Sequence, residues 1–131
     1  MATRFAALAK KPHKYHAQKT VVNGIPFPSK AEAQRYSELL LLEKAGEIRA
    51  LGLQPKIPLT VNNRIVCFYI ADFIYTDKNG ERILEETKGF ETPVWKLKHA
   101  LFRACYPERK LFVLYVEKKR RNNETRFLAV Q

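Results

Sequence analysis

Asp72, Glu86 and Lys88 are the residues of this chain whose types and spacing could do chemistry. Asp72 interrupts the most apolar stretch of the sequence, residues 66–75 (VCFYIADFIY). An acid there is costly unless it is paired or binds a metal. Glu85-Glu86-Thr87-Lys88 follows, with Glu86 standing 14 residues after Asp72. Side chains alternate along a strand, so Glu86 and Lys88 share a face and Glu85 points the other way. The turn cluster Asp77-Lys78-Asn79-Gly80 lies between the two stretches. A hairpin about it brings Asp72 beside Glu86, so that two carboxylates and one ammonium meet at one end of a sheet. That set suits hydrolysis of a phosphodiester. Two carboxylates hold Mg²⁺ or Mn²⁺ through hard oxygen ligands. The metal polarises a phosphoryl oxygen and lowers the pKa of a bound water. A lysine beside it orients or deprotonates the water and offsets transition-state charge. The structural alternative is an ordinary buried salt bridge of Lys88 with Asp72 or Glu86.

Several elements must position these groups. Thr20–Val22 and 25–27 read as a short hairpin around Asn23-Gly24. Ser29 is a good N-cap, with Glu32 at capping-box spacing, and the helix it opens closes at Gly46. Ala33, Tyr36, Leu39 and Leu40 give that helix its apolar face. Residues 53–60 carry Pro55 and Pro58 and read as an edge or irregular strand. Residues 66–75 read as one central strand, apolar on both faces, and 82–88 as its hairpin partner. Gly89 then lets the chain turn close to a backbone. Thr92 caps a second helix with Pro93 at its first position, running to about Cys105. Residues 110–116 (KLFVLYV) form a buried strand, 118–121 a basic loop and 125–130 a last edge strand. The order is helix, three strands, helix, strand: an α/β fold with a mixed sheet flanked by helices. Trp95 and Phe102, seven apart, read as core rather than base-stacking residues.

The bulk properties narrow the partners. At 131 residues the chain reads as a single domain, with a basic arm at about 1–14. Its formal charge is +11, from 24 Lys and Arg against 13 Asp and Glu, which points to a polyanion, most commonly nucleic acid. Residues 1–31 hold six basic residues and no acid. Candidate phosphate contacts are Lys10, Lys11, Lys14 and Lys30, then Lys96 and Lys98 near the start of the second helix, then Lys118, Lys119, Arg120 and Arg121. A solvated helix face is the plain alternative for Lys96 and Lys98. Cys67 and Cys105 stand in apolar contexts, without zinc-ligand spacing, and read as reduced core thiols. His13 and His16 lack a third ligand nearby. The N-terminal apolar stretch is too short for a signal peptide, and no run approaches the ~18 residues of a membrane span. A soluble, intracellular protein is expected.

Asp72 followed by Glu86-Thr87-Lys88 resembles the D…(D/E)xK signature of the PD-(D/E)XK nuclease superfamily, with Ala71 in place of the usual proline. The superfamily's restriction-endonuclease-like core has the same helix, three strands, helix, strand order. SKAEAQRY (29–36), LQPKIPL (53–59), YIADFIY (69–75) and EETKGFETPVWKLKHALF (85–102) resemble small phage- and prophage-borne nucleases of that superfamily. The likeness covers roughly residues 15–117. It implies a DNA endonuclease using Mg²⁺ or Mn²⁺, structure-selective or nicking as in branched-DNA resolution, acting in the cytoplasm of a bacterial host. It further implies that Glu32, on the first helix, completes the metal site with Asp72 and Glu86; capping duty at Ser29 competes for that glutamate. Gln54 matches a polar position near such sites and is a lesser candidate. A sequence-specific endonuclease and a non-catalytic DNA-binding module are the alternatives. Symmetric cutting of two strands would call for a homodimer.

Overall fold

The computed structural model describes residues 19–118 and 125–130. The arm at 1–14, with Lys10, Lys11, Lys14 and His13, lies outside them, as do His16, Lys119, Arg120 and Arg121.

Asn23 (φ 49°) and Gly24 (φ 76°) both adopt the left-handed conformation, the signature of a two-residue hairpin turn. They join β1 (Thr20–Val22) to β2 (Ile25–Phe27). Phe27 is buried against Tyr36, ring centroids 4.9 Å apart, which docks the ribbon on α1 (Lys30–Lys44). That helix starts where Ser29 Oγ accepts the Glu32 N–H and stops at Gly46, φ +78°. It buries Ala31, Ala33, Tyr36 and Leu39.

The remaining elements are β3 (Arg49–Leu53), β4 (Lys56–Val61), β5 (Arg64–Ile70), β6 (Phe73–Thr76), β7 (Arg82–Lys88), α2 (Pro93–Cys105), β8 (Lys110–Lys118) and β9 (Thr125–Val130). Five strands form one sheet in the order β3-β6-β7-β8-β9. Only β7 and β8 run parallel, and α2 is the crossover that a parallel pair needs. β4 and β5 form a separate two-stranded ribbon. The protein is thus mixed α/β. α1 is followed by the main-sheet strands β3, β6 and β7, then by α2 and β8, with the β4–β5 ribbon inserted.

The sheet is covered on both faces. Phe73, Tyr75 and Ile83 join Tyr36 and Leu39 of α1 in one buried cluster. Leu84 and Leu111 join Ile57, Leu59 and Tyr69 of the ribbon and Phe102 of α2 in the other. Neighbours Ile83 and Leu84 therefore point to opposite layers, which sets the facing of every side chain further along β7.

Three sequence expectations are corrected. Residues 66–75 are not one strand: β5 pairs with β4 alone and β6 with β3 and β7, so the chain changes sheets at Ala71-Asp72. The ribbon turns at Asn62 (φ 49°) and Asn63 (φ 61°), and Pro58 fits in β4 because a two-stranded ribbon leaves edge positions without ladder bonds. Residues 49–53, unassigned from sequence, make the edge strand β3, where Ala50 (φ 54°) sits within a register shift. Gly89 approaches no backbone: a Cβ there would meet nothing within 4 Å. The two cysteines are free, as expected, and partly buried against the cluster of Ile57, Leu59 and Phe102.

Candidate active site

The sheet change places Asp72 against the end of β7. Its N–H donates to the Glu85 carbonyl (3.1 Å), and its own carbonyl accepts from Gln54 N–H (2.9 Å). The backbone is thus pinned from both sides although residue 72 belongs to no strand. The carboxylate is held as firmly. Oδ2 accepts from Thr87 N–H at 2.7 Å and from Thr87 Oγ1 at 3.0 Å. None of the described hydrogen bonds uses Oδ1.

Glu86 shares the face of Leu84, toward the ribbon and α2, and is buried. Its Oε2 accepts from the Tyr69 hydroxyl and from Trp95 Nε1, the latter at 3.1 Å. Its Oε1 lies 3.6 Å from Lys88 Nζ. The Lys88 ammonium stands 4.8 Å from the centroid of the Trp95 ring. Each of the two carboxylates therefore spends one oxygen on fixed donors, and the other oxygen of Glu86 faces Lys88.

Glu32, in the first turn of α1, belongs electrostatically to the same site. Among the described residues no hydrogen bond returns from its carboxylate to Ser29, so only half of a capping box forms. Burial, with repulsion from Asp72 and Glu86, raises its pKa to about 7 despite Lys88. Burial likewise raises Asp72 to about 6, opposed by the Thr87 N–H and hydroxyl and reinforced by Glu86.

Glu85 lies on the α1 face, as alternation requires. The Arg35 guanidinium grips both its oxygens, Nε to Oε2 and Nη2 to Oε1, each at 2.8 Å, and the Tyr75 hydroxyl donates to Oε1 at 3.1 Å. This is a complete structural ion pair, so the acid-rich segment holds one glutamate of each kind.

The structure treats the other sequence candidates unevenly. Gln54 (φ 48°) follows β3 rather than preceding Asp72 in a strand; its backbone touches Asp72 while its side chain is exposed. Lys30 is exposed at the start of α1. Lys96 is exposed and 3.9 Å from Glu91, whose Oε1 also accepts from the Tyr115 hydroxyl at 2.5 Å. Lys98 is half-buried. Lys118 is the last residue of β8 rather than part of a loop. Phe102 is fully buried, but Trp95 is only half-buried, with its N–H at Glu86, which corrects its reading as core. Sequence reasoning missed Tyr69, Thr87, His99 and Arg35. Tyr69 and Thr87 alternate on the right faces of their strands, but nothing local shows that β5 crosses above β7.

Asp72 and Glu86 offer hard oxygen donors of the type that suits Mg²⁺ or Mn²⁺. The raised pKa values of Asp72 and Glu32 reflect burial first and repulsion between carboxylates second, and a cation would offset both. Among the described residues, however, no three His, Cys, Asp or Glu side chains converge tightly enough to form a metal-binding group. The donor chemistry fits a carboxylate site completed by water, as Mg²⁺ accepts; Asp72 and Glu86 would hold the ion, and Glu32 shares their electrostatic surroundings.

The site thus sets two anchored carboxylates and a lysine near one strand end of an α/β fold. The chain itself belongs to the family described as a protein of unknown function (DUF1064), whose model matches residues 12–121. Neither the comparison with curated proteins nor that with solved structures gives a match.

Proposed function

We propose that this protein is a Mg²⁺- or Mn²⁺-dependent DNA endonuclease of the PD-(D/E)XK superfamily, structure-selective or nicking in action. The observation that carries the reading is the convergence of Asp72, Glu86 and Lys88. Thr87 anchors the first carboxylate, Tyr69 and Trp95 anchor the second, and Lys88 stands beside Glu86. The alternation α1, β3-β6-β7, α2, β8 accords with the superfamily core, as do the formal charge of +11 and the exposed Lys30 and Lys96.

In this reading Asp72 and Glu86 would hold the cation, and the cation would supply Lewis acidity at the scissile phosphate and a more acidic water. Lys88, beside Glu86, would orient the attacking water and offset negative charge in the transition state. Its position over Trp95 keeps the ammonium in place before substrate arrives. Glu32, with a pKa of about 7, is matched to exchanging a proton near neutral pH. The basic side chains position the phosphate backbone without reading sequence. Among the described residues no helix is long and apolar enough to cross a membrane, and the proposed place of action is the cytoplasm of a bacterial host. Paired cuts would require a homodimer.

The test is cleavage of duplex, single-stranded, plasmid and four-way-junction DNA with Mg²⁺ or Mn²⁺, with and without excess EDTA, beside Glu86→Gln. Expected are metal-dependent cuts, most rapid on branched DNA, absent in EDTA and in the variant. Undiminished cutting in EDTA, or by Glu86→Gln, would overturn the proposal. Metal-independent DNA binding without any cutting would leave a binding module.

A further inference from the structure

The chain holds a single tryptophan, Trp95, and the local sequence delivers it to the middle of the site. Thr92 Oγ1 accepts the Trp95 N–H at 3.1 Å, and Pro93 opens the helix, so the cap fixes where the indole leaves the backbone. Indole Nε1 lies 3.1 Å from Glu86 Oε2 and 3.1 Å from the Tyr69 hydroxyl. The Tyr69 hydroxyl in turn donates to the same Glu86 oxygen. These three groups close a ring of hydrogen bonds around Oε2. The face of the same indole carries Lys88 Nζ, 4.8 Å from the ring centroid. One helical turn on, His99 stacks against the indole, centroids 4.8 Å apart.

An indole N–H can only donate. It therefore settles which Glu86 oxygen faces the protein and which is left toward Lys88. A ring face attracts an ammonium without hydrogen-bonding it, so Lys88 keeps all three N–H donors for other partners. No other side chain among the described residues touches both Glu86 and Lys88 in this way. We infer that Trp95 is a positioning residue that sets the geometry of Glu86 and Lys88 together, through its edge and its face. The inference rests on the proposed nuclease reading for its catalytic consequence.

Two substitutions separate this role from simple packing. Trp95→Phe keeps a ring under Lys88 and removes the N–H; Trp95→Leu removes both. Partners that orient metal ligands are worth about 10–100-fold in metal affinity or activity. Trp95→Phe is expected to lower kcat and raise the Mg²⁺ midpoint within that range, with KM for DNA unchanged, and Trp95→Leu to be slower still. Tyr69→Phe should resemble Trp95→Phe, and the double variant should lose less than the two losses combined, because both donors serve one oxygen. Packing alone would instead lower the melting temperature and leave kcat per folded molecule intact.

A second readout does not depend on turnover. As the sole tryptophan, Trp95 reports on its own surroundings, so its emission should change on Mg²⁺ titration of the whole chain and not in Glu86→Gln. A response in the wild type without DNA cleavage would retain the positioning role and defeat the nuclease reading. Cleavage that Trp95→Phe leaves unimpaired, with an unmoved Mg²⁺ midpoint, would overturn the positioning role and retain that reading. Emission indifferent to Mg²⁺ in the wild type would also overturn it.

Discussion

Glu85 and Glu86 are adjacent in the chain yet lie in different layers of the molecule. Arg35 neutralises Glu85 from α1 with a two-pronged contact. Tyr69 and Trp95 hold Glu86 from the ribbon and α2 with neutral donors, leaving its charge uncancelled except by Lys88 at 3.6 Å. One is built into the fold, and the other is the glutamate that the proposed function assigns to a cation.

The two glutamates should therefore fail differently. Removing one partner of a buried pair leaves the other charge unpaired, at a cost of about 3–5 kcal/mol. Glu85→Gln is expected to lose stability on that scale and to cleave normally per folded molecule. Glu86→Gln should melt near the wild-type temperature, bind DNA and not cleave. Paired thermal melts and cleavage rates decide this. A Glu86→Gln protein that is badly destabilised but still cuts DNA would mean that Glu86 is only a structural group.

Stability should depend on pH through Glu32 and Asp72. Their folded-state values, about 7 and about 6, lie above the ordinary 4.5 and 3.8. The folded protein thus binds these protons more tightly than the unfolded chain. The contribution is full below pH about 4 and is lost as pH rises through about 6 and 7. In metal-free buffer Glu32→Gln should flatten the decline over that window, and Mg²⁺ should raise the melting temperature most above it, where the carboxylates are ionised. Superimposable melting curves for the variant and wild type across that range would contradict the assignment.

Thr87 is expected to tune Asp72. Thr87→Val deletes the 3.0 Å hydroxyl donor and keeps the 2.7 Å backbone one. Loss of a hydrogen bond to a charged group costs about 1.5–3 kcal/mol, and the Asp72 pKa should rise further because the hydroxyl now lowers it. Urea melts and NMR titration of the Asp72 carboxyl would measure both. An unmoved Asp72 titration would count against the contact.

DNA affinity should fall steeply with salt, since phosphate neutralisation releases counterions. Binding measured in Ca²⁺, to hold off cleavage, gives the slope. The exposed Lys96–Glu91 pair at 3.9 Å holds Lys96 only weakly, so Lys96 remains open to a phosphate. Lys96→Ala is expected to shallow the slope by about 1 while leaving sequence preference alone. A salt-independent affinity would assign the +11 charge to another purpose.

Much of this protein was legible in its residues because the signals are local. Asn23-Gly24, Ser29, Gly46, Thr92-Pro93 and the Asp77–Gly80 cluster mark turns and caps within a few residues of themselves, and the elements fall where they say. Strand alternation alone separates Glu85 from Glu86 and puts Lys88 with Glu86. The approach of Asp72 follows from the hairpin. What the sequence could not decide is which strand pairs with which. VCFYIADFIY is apolar on both sides of Asp72, so no local pattern records the switch from the ribbon to the main sheet there, nor that Val66 and Ile70 end up exposed. Asn62-Asn63 was the one available sign of the ribbon. Tertiary structure alone carries Tyr69 across to Glu86 and brings Trp95 in from α2. It also sets Arg35 against Glu85 across 50 residues of chain. Those contacts join elements distant in sequence, and the donors that offset the cost of burying each carboxylate come together only once both layers have closed on the sheet.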